Sequence, residues 1–556
     1  MPRKVFGIDL GTTYSCIAYV DETGRAVVIK NLDGTDTTPS VVNFASPTEV
    51  VVGQVAKDNA VIDTHNTSSL VKTLIGKSDV AGSYNGEDKS PEEVSAYILR
   101  KVTSDASSMI GSEVMDVVIT CPAYFGAAER TATKNAGIIA GLNVLEIISE
   151  PTAAALYYGC TKEHDDKTVL VYDLGGGTFD VTIMNISSDK IKVVCSVGNP
   201  ELGGKDWDEV LMRYLNDEFV KVTSFTGDFD EFDQQHLRSR TEKAKQDLSR
   251  KPDTFVILEM AKERAKINLS RDKFNDLTSV LLNETIEKTD EAIAVAKSKG
   301  YDEINEILLV GGSTFMPQIT DALKQKYGME PKLLEPNEAV AKGAAIHAVN
   351  VYINNQRSLQ DWEDQNTDSD DDPTLPPPSI NPDDYRENLD VDVTSMSIGG
   401  RMREVEWATT KSYALEVLVG AKKEPKCHNL IIKNESMPGG TASSTGRFRT
   451  EEDDQEFLDI KVYENDFMET YFDVDKDYLL GSALFDLPRK LPQGAPLEIT
   501  FSLNNEGILE ITGRDLTNNC DLNSEGKGYA TMQAKGIMST AKVNELKEKS
   551  RGISVS

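Results

Sequence analysis

The stretch VYDLGGGTFD at residues 171–180 decides how the rest of this sequence is interpreted. It is an apolar run ending at Asp173, followed by a glycine and threonine turn and then by Asp180. The stretch FGIDLGTT at residues 6–13 has the same order, with Asp9 before its turn. Glycines at such a turn let backbone N–H groups converge on an anion, and threonine hydroxyls can add donors. We therefore predict two hairpins that face each other and hold a polyphosphate between them.

The aspartate at the end of each hairpin strand predicts a metal ion. A carboxylate beside phosphate is repelled unless a hydrated Mg²⁺ bridges the two, so Asp9 and Asp173 are candidates for a Mg²⁺ shell through water. A third glycine turn, GGST at residues 311–314, follows the apolar run ILLV and suits close approach to a nucleoside. One glycine turn most often only reverses the chain. Three turns, two of them with matched aspartates, favour a nucleotide site.

Composition excludes several classes of protein. A chain of 556 residues predicts two or three domains. The net charge of −32, without a compensating Lys/Arg run, excludes nucleic acid as a direct partner. No apolar run reaches the roughly 18 residues that cross a bilayer, and no secretory segment opens the chain, so we expect no membrane and a cytoplasmic location. Six scattered cysteines without a CxxC pair argue against a zinc site or a disulfide framework.

Patterning along the chain predicts the domain boundaries. Residues 1–358 alternate β-rich runs with helical patterns, which indicates an α/β domain. Residues 359–388 are acidic and proline-rich and predict a solvated linker. Residues 389–535 alternate polar and apolar positions between turns, as expected for an antiparallel β-sandwich. Residues 536–556 predict a short helical tail, in which Ser539 caps a helix that Gly552 ends.

Six ordered motifs resemble those of the heat shock protein 70 family, within the actin and hexokinase superfamily. They are GIDLGTTY at 7–14, PAYF at 122–125, EPTAAA at 150–155, the hairpin at 173–180, LGG at 202–204 and GGST at 311–314. The resemblance implies an actin-like ATPase domain with two ribonuclease H-like lobes, followed by a β-sandwich and a truncated lid. It further implies ATP or ADP with Mg²⁺, and K⁺ as a further candidate cation. The implied partners are unfolded or extended polypeptides, a J-domain co-chaperone and a nucleotide exchange factor.

The same resemblance assigns roles to residues around the phosphates. Hydrolysis of ATP needs a positioned water and neutralised charge more than covalent help. Lys72 falls where the family's catalytic lysine faces the γ-phosphate, and Glu150 and Asp180 match residues that orient the attacking water. Thr13 and Thr178 match contacts to the γ-phosphate. The remaining implied contacts to the nucleotide are Gly11, Thr12, Tyr14, Gly175, Gly176, Gly177, Gly203, Gly204, Gly311, Gly312 and Ser313.

The nucleoside end shows both a match and departures. Glu242, Lys245 and Ser249 lie at i, i+3 and i+7, on one face of a helix, and resemble the family's ribose and adenine contacts. Gln246 and Phe315 stand where the family commonly has arginines that stack on adenine. Phenylalanine can still stack, but the cation–π contribution of about 1 kcal/mol is lost.

Asn337 replaces another usual aspartate of the family. With the two lost arginines, this change leads us to expect ATP binding with altered affinity.

The second half resembles the family less closely. Residues 389–394 keep only a remnant of the leucine-rich linker that couples the two domains, and the client-loop region at 397–400 has diverged. Because the chain has only a stub in place of the long lid, we expect any bound client to exchange quickly.

Three functions remain open from the sequence. The leading one is an ATP-dependent molecular chaperone that hydrolyses ATP and binds extended polypeptide by strand addition, assisting protein folding. The alternative is an ATP-binding regulatory or scaffold protein with little client cycling, which the short tail and Asn337 favour and the intact Lys72 opposes. A small-molecule kinase on the same fold is disfavoured, because such enzymes need no β-sandwich.

Overall fold

The structure of this chain is a computed structural model. It describes residues 3–77, 80–160, 166–187, 190–366, 404–420, 422–504, 507–524, 526–532 and 538–556, together with Tyr385, Leu389 and Val391.

The first part of the chain forms two lobes, each built on a mixed sheet. Its strands are β1 (Val5–Asp9), β2 (Tyr14–Val20), β3 (Ala26–Val28), β4 (Thr38–Pro39), β5 (Val41–Ser46), β6 (Glu49–Val52), β7 (Thr67–Ser69), β8 (Gly82–Tyr84), β9 (Glu87–Lys89), β10 (Asp116–Cys121), β11 (Asn143–Ser149), β12 (Lys167–Leu174), β13 (Phe179–Ile186), β14 (Lys190–Asn199), β15 (Asp253–Met260), β16 (Glu263–Ser270), β17 (Glu306–Val310) and β18 (Lys332–Leu333). Its helices are α1 (Gln54–Asn59), α2 (Pro91–Ile110), α3 (Ala127–Ile139), α4 (Glu150–Cys160), α5 (Gly204–Thr223), α6 (Glu231–Arg250), α7 (Arg271–Ser298), α8 (Pro317–Tyr327) and α9 (Ala339–Asn366).

The two main sheets have related topologies. Lobe I, which comprises β1–β11 and α1–α3, has the strand order β11-β10-β1-β2-β3, with β4 also paired to β2. Lobe II, which comprises β12–β18 and α5–α8, has the order β18-β17-β12-β13-β14. In each lobe the central strand pairs in parallel on one side and forms an antiparallel hairpin on the other. The turns of these two hairpins carry the glycine motifs.

Helices α4 and α9 lie between the lobes and join them. Their alanines share one buried cluster with apolar side chains from both central sheets, such as Val118 of lobe I and Val171 of lobe II. Gly343 of α9 approaches the main-chain carbonyl of Ala153 of α4 so closely that a β-carbon would overlap it. Small residues are therefore what allows these two helices to cross in direct contact.

The later part of the chain is a sandwich of two antiparallel sheets, here called the β-domain. Its strands are β19 (Glu404–Ala408), β20 (Ser412–Val419), β21 (Glu424–Ile431), β22 (Ser436–Met437), β23 (Thr441–Arg449), β24 (Gln455–Asn465), β25 (Tyr471–Asp473), β26 (Leu479–Leu491), β27 (Pro496–Asn504), β28 (Leu509–Asp515), β29 (Cys520–Asp521) and β30 (Ala530–Met532). One sheet has the order β25-β21-β20-β24-β26, and the other β23-β27-β28-β29 with β30 also on β28. Alternate residues of β27 are buried, as its sequence pattern predicts. The expected α/β domain followed by an antiparallel β-sandwich is confirmed.

The β-domain docks on lobe II through its first strand. β19 adds in parallel to β14, with Glu404 opposite Lys190, and so extends the lobe II sheet. Glu406 forms an ion pair with Lys190 and another, of 3.1 Å, with Lys192.

The segments between and after these domains differ from a simple linker and tail. Helix α9 continues to Asn366, eight residues past the boundary expected at 358. Tyr385 is buried against Tyr352, and Leu389 pairs with Arg3. The rest of the expected linker and the client-loop region at 397–400 lie outside the described residues.

The tail forms the predicted helix and one further strand. Helix α10 (Thr540–Arg551) has Ser539 as its N-cap and Gly552 after its last residue, which confirms both capping predictions. Strand β31 (Ser554–Val555) follows it and pairs with β6 of lobe I.

Candidate nucleotide site

The two glycine hairpins meet at the cleft between the lobes. A β-carbon on Gly176 would lie 2.5 Å from the Thr13 hydroxyl, and one on Gly177 would lie 2.8 Å from the Thr12 methyl group. The turn of the second hairpin therefore faces the turn of the first, as its sequence predicts. Asp173 and Asp180 lie directly opposite each other in the register of β12 and β13.

Two further glycine segments complete the wall of lobe II. A β-carbon on Gly203 would lie 2.5 Å from the backbone of Gly177, so the two main chains touch. Ser313 donates its hydroxyl proton to the Gly175 carbonyl at 2.9 Å. Gly311, before Ser313, has a φ of 84°, a left-handed conformation that favours glycine, and a β-carbon there would lie 2.6 Å from Asp173 Oδ1.

A buried group of charges lies beneath the hairpins. Lys72 is on a 3₁₀ turn that follows Leu70 and donates a short hydrogen bond to Glu150, the first residue of α4. Thr120, at the end of β10, donates its hydroxyl proton to Asp9 Oδ1 at 3.1 Å. Lys72 is 5% exposed, so this cation is held in place by acidic neighbours instead of water.

The aspartates of this group have raised pKa values. Burial raises the pKa of Asp9 from 3.8 to about 7, with Glu150 adding to the effect. Burial, again with Glu150, raises the pKa of Asp180 from 3.8 to about 7. The pKa of Asp173 rises well above its usual value for the same two reasons. Burial acts to lower the pKa of Lys72, but Glu150 and Asp9 outweigh it, so the lysine stays charged.

The acidic group has the chemistry that a hydrated metal ion requires. Two buried carboxyl groups, Asp173 and Asp180, and two partly buried ones, Asp9 and Glu150, lie around Lys72, which leaves an excess of negative charge in a low-dielectric site. Asp180 Oδ1 is buried without a hydrogen-bond partner among the described residues. Within the same residues, no group of three or more His, Cys, Asp or Glu side chains is placed to hold a metal ion directly. Asp9 and Asp173 are thus suited to a hydrated Mg²⁺.

The side of the cleft predicted to bind the nucleoside contains the predicted face of helix α6. Glu242 of α6 accepts hydrogen bonds from Lys57 at 2.8 Å and from the Tyr14 hydroxyl at 3.3 Å. Lys57 and Tyr14 belong to lobe I and Glu242 to lobe II, so this group bridges the mouth of the cleft. Sequence reasoning missed Lys57, because a single lysine on α1 carries no motif.

The other predicted nucleoside contacts lie on lobe II. Lys245 donates to the Gly204 carbonyl at 2.8 Å and to Asp208 Oδ2 at 2.6 Å, and Ser249 donates back to the Lys245 carbonyl at 3.1 Å. Asp208 was also missed from the sequence, because it lies outside the matched motifs.

Phe315 is the last residue of the 3₁₀ turn that follows Gly311, and Asn337 lies beside the same turn. Phe315 is 44% exposed, which leaves its ring accessible for stacking. Asn337 Oδ1 would lie 3.1 Å from a β-carbon on Gly312, so it borders the third glycine turn.

The β-domain contacts the nucleotide site through the PAYF segment. The main-chain N–H of Ala123 donates to Asp180. On the same turn, the Phe125 carbonyl accepts a hydrogen bond of 3.1 Å from Thr410 of the β-domain. Glu464 of the β-domain accepts from the main-chain N–H of Ala127, at the start of α3. One short turn therefore connects the docked β-domain to a carboxylate of the site.

None of the helices in the described ranges is long and apolar enough to cross a membrane.

Comparison with known proteins identifies the family of this chain. The family model described as Hsp70 protein matches residues 5–358. The chain is similar to the chaperone protein DnaK of Thermosipho melanesiensis, with 36% identity over 92% of this chain and 78% of the relative. The chaperone protein DnaK of Thermotoga petrophila is similar at the same identity and coverage. With its two-lobed, actin-like nucleotide domain and its β-sandwich, the chain belongs to the Hsp70 family of ATP-dependent molecular chaperones, which bind nucleotide and unfolded polypeptides.

Proposed function

We propose that this chaperone holds Mg·ATP between its two hairpins and hydrolyses it at the acidic group around Lys72. The observation that carries the proposal is the buried pairing of Lys72 with Glu150 directly beneath the facing turns. A fixed cation there would stabilise the charge that spreads over a transferring phosphoryl group. A fixed carboxylate beside it would hold the attacking water.

In this proposal the residues around Lys72 have different roles in hydrolysis. Glu150 and Asp180 orient the water, and the Asp180 oxygen that has no partner in the described part of the chain is available to accept a hydrogen bond from that water. Thr13 and Thr178 donate to the γ-phosphate. Mg²⁺ supplies neutralisation of phosphate charge when it is bound through water near Asp9 and Asp173, and K⁺ is a further candidate for the same acidic surroundings. The backbone turns supply the other phosphate contacts, from Gly11, Thr12, Gly175, Gly176, Gly177, Gly203 and Gly204.

The nucleoside binds between Phe315 and the helix face of α6 in this proposal. Glu242, Lys245 and Ser249 lie on that face and carry polar atoms suited to a ribose and a purine. The third glycine turn, Gly311, Gly312 and Ser313, lies beside Asn337 and lets the main chain approach the nucleoside closely. We expect weaker adenine binding than a site with stacking arginines would give.

In this proposal the β-domain binds extended polypeptide, and the cycle of polypeptide binding and release depends on co-chaperones. The docked Thr410 and Glu464 give client binding a physical route to Asp180 through the PAYF turn. A J-domain co-chaperone and a nucleotide exchange factor would set the rates of hydrolysis and release. We further propose a cytoplasmic location, which agrees with the free thiols of the described cysteines.

Reciprocal coupling tests this function. An extended apolar peptide should raise the steady-state rate of ATP hydrolysis, and Mg·ATP should speed peptide release, because linkage between two sites works in both directions. Lys72→Ala should remove hydrolysis, whereas Lys324→Ala, on the exposed surface of α8, should not. Hydrolysis by Lys72→Ala at the rate of the unsubstituted chain would refute the catalytic assignment. Peptide binding that ignores nucleotide would refute the chaperone cycle.

A further inference from the structure

The C-terminal tail packs on lobe I. Val543 and Leu546 of α10 are 3% and 5% exposed and lie against Ala96 of α2 and Ile139 of α3. The helix thus buries its apolar face on the nucleotide domain. Within the described residues, α10 packs mainly against α3 of lobe I.

Strand β31 completes a sheet of lobe I. The main-chain N–H of Ser554 donates to the Thr48 carbonyl at 2.9 Å, and Val52 donates to the Ser556 carbonyl at 2.9 Å. The resulting sheet has the order β31-β6-β5-β7. Ile553, just before β31, is 7% exposed and belongs to the main apolar core of lobe I. The end of the chain is therefore integrated into the nucleotide domain by main-chain pairing and by burial.

The bend between α10 and β31 is fixed by an arginine of lobe I. Arg100 of α2 donates to the Ser550 carbonyl at 2.6 Å and to the Ile553 carbonyl at 2.9 Å. A helix leaves its last carbonyls without partners inside the helix, and a cation there is favourable. Lys549 adds an ion pair of 3.0 Å with Glu87. Specific hydrogen bonds and an ion pair with lobe I therefore hold the bend in place.

The tail also limits how far the β-domain can move. Only eight Cα-to-Cα steps separate Met532, at the end of β30, from Thr540, at the start of α10. A chain of that length spans at most about 29 Å when fully extended. The β-domain is thus attached to the nucleotide domain at its beginning and at its end. A short second tether keeps a docking surface at an effective concentration on the order of millimolar.

We propose that residues 539–556 form a strap that stays bound to lobe I and keeps the β-domain docked whether ATP, ADP or no nucleotide is bound. The contacts described for the strap lie on α2, α3, β6, β9 and the turn at Thr48, and none of these contacts is made by a residue assigned to the phosphates. Nucleotide exchange therefore leaves these contacts in place. Whenever the pairing between β14 and β19 opens, the strap keeps the β-domain close enough to lobe II to dock again.

Hydrogen exchange on the full chain tests the strap. The probe is the protection of the main-chain amides in β14 and β19, measured without nucleotide, with Mg·ADP and with Mg·ATP. In the unsubstituted chain we expect protection to agree within about threefold across the three conditions. Ser554→Pro removes the N–H that bonds to Thr48 and should accelerate exchange at these amides at least tenfold with Mg·ADP. Asn544→Ala, at an exposed position of α10, should behave like the unsubstituted chain.

Ile553→Asp provides a second variant, which acts through burial instead of main-chain pairing. Protection in β12 and β13 shows in each variant whether the nucleotide domain remains folded. Loss of β14–β19 protection in the unsubstituted chain on going from ATP to ADP overturns the proposal. Unchanged protection in both Ser554→Pro and Ile553→Asp overturns it as well. If both variants unfold, the comparison of the three nucleotide conditions in the unsubstituted chain decides alone.

Discussion

Replacing Asp180 with asparagine should stabilise the protein in the absence of nucleotide and Mg²⁺ and should lower its rate of ATP hydrolysis. Asp180 is buried, its pKa is raised from 3.8 to about 7, and one oxygen has no partner among the described residues. Folding at high pH must therefore hold an ionised carboxylate where a neutral one is preferred. A folded-state pKa above the unfolded one means that the native protein binds more protons, so this group's contribution to stability falls as the pH rises from about 4 to 7.

The magnitude follows from that shift. At about 1.36 kcal/mol per unit, ionising Asp180 costs the fold about 4 kcal/mol at pH 8 but only about 2 kcal/mol at pH 5. Asparagine has no such cost and keeps an acceptor for the Ala123 N–H. Any cost of fitting the amide itself is the same at both pH values. The gain in unfolding free energy from Asp180→Asn should therefore be about 2 to 3 kcal/mol larger at pH 8 than at pH 5.

Urea unfolding followed by circular dichroism, without Mg²⁺ or nucleotide, measures this difference. Asp228→Asn serves as the control, because its exposed carboxylate is solvated whether the chain is folded or not. A gain for Asp180→Asn that is equal at pH 5 and pH 8, or larger at pH 5, would refute the reasoning.

Three further outcomes are expected. Lys72→Ala should lower the single-turnover rate of ATP hydrolysis by about 10²- to 10³-fold, because one fixed charge at the phosphoryl group is lost; rapid-quench measurements that show less than a tenfold drop would contradict this. Lys57→Ala should speed dissociation of a fluorescent ADP analogue about tenfold, because its ion pair with Glu242 bridges the lobes; an unchanged off-rate in stopped flow would count against the bridge. Gly203→Ala should weaken ATP binding at least tenfold in calorimetry, since its β-carbon would meet the backbone of Gly177; wild-type affinity would mean that the turn adapts.

The sequence predicted the parts of the site that depend on local chemistry. The facing positions of the two glycine turns could be predicted because a tight turn restricts both backbone conformation and side-chain type, while the contacts of these residues with phosphate stay a prediction. The helix cap at Ser539 was predicted for the same reason, since capping is decided within a few residues.

Features that depend on distant contacts could not be predicted in this way. Lys57 gains its role only because α1 and α6 face each other across the cleft, and no pattern near Lys57 indicates that. The tail was expected to be a helical stub, and ISV at residues 553–555 is too short to show an alternating pattern. Its strand exists because β6 offers an open edge to which it can pair.

The crossing of α4 and α9 sets a limit on how the lobes can move. Where Gly343 lies on the Ala153 carbonyl there is no side chain to compress or rearrange, so the two helices meet backbone to backbone. This contact is a fixed hinge point: the lobes can rotate about it, but the two helices cannot slide at their crossing. A single methyl group added at residue 343 would force the two helices apart at their crossing and so alter how wide the cleft opens, without changing any residue assigned to the nucleotide.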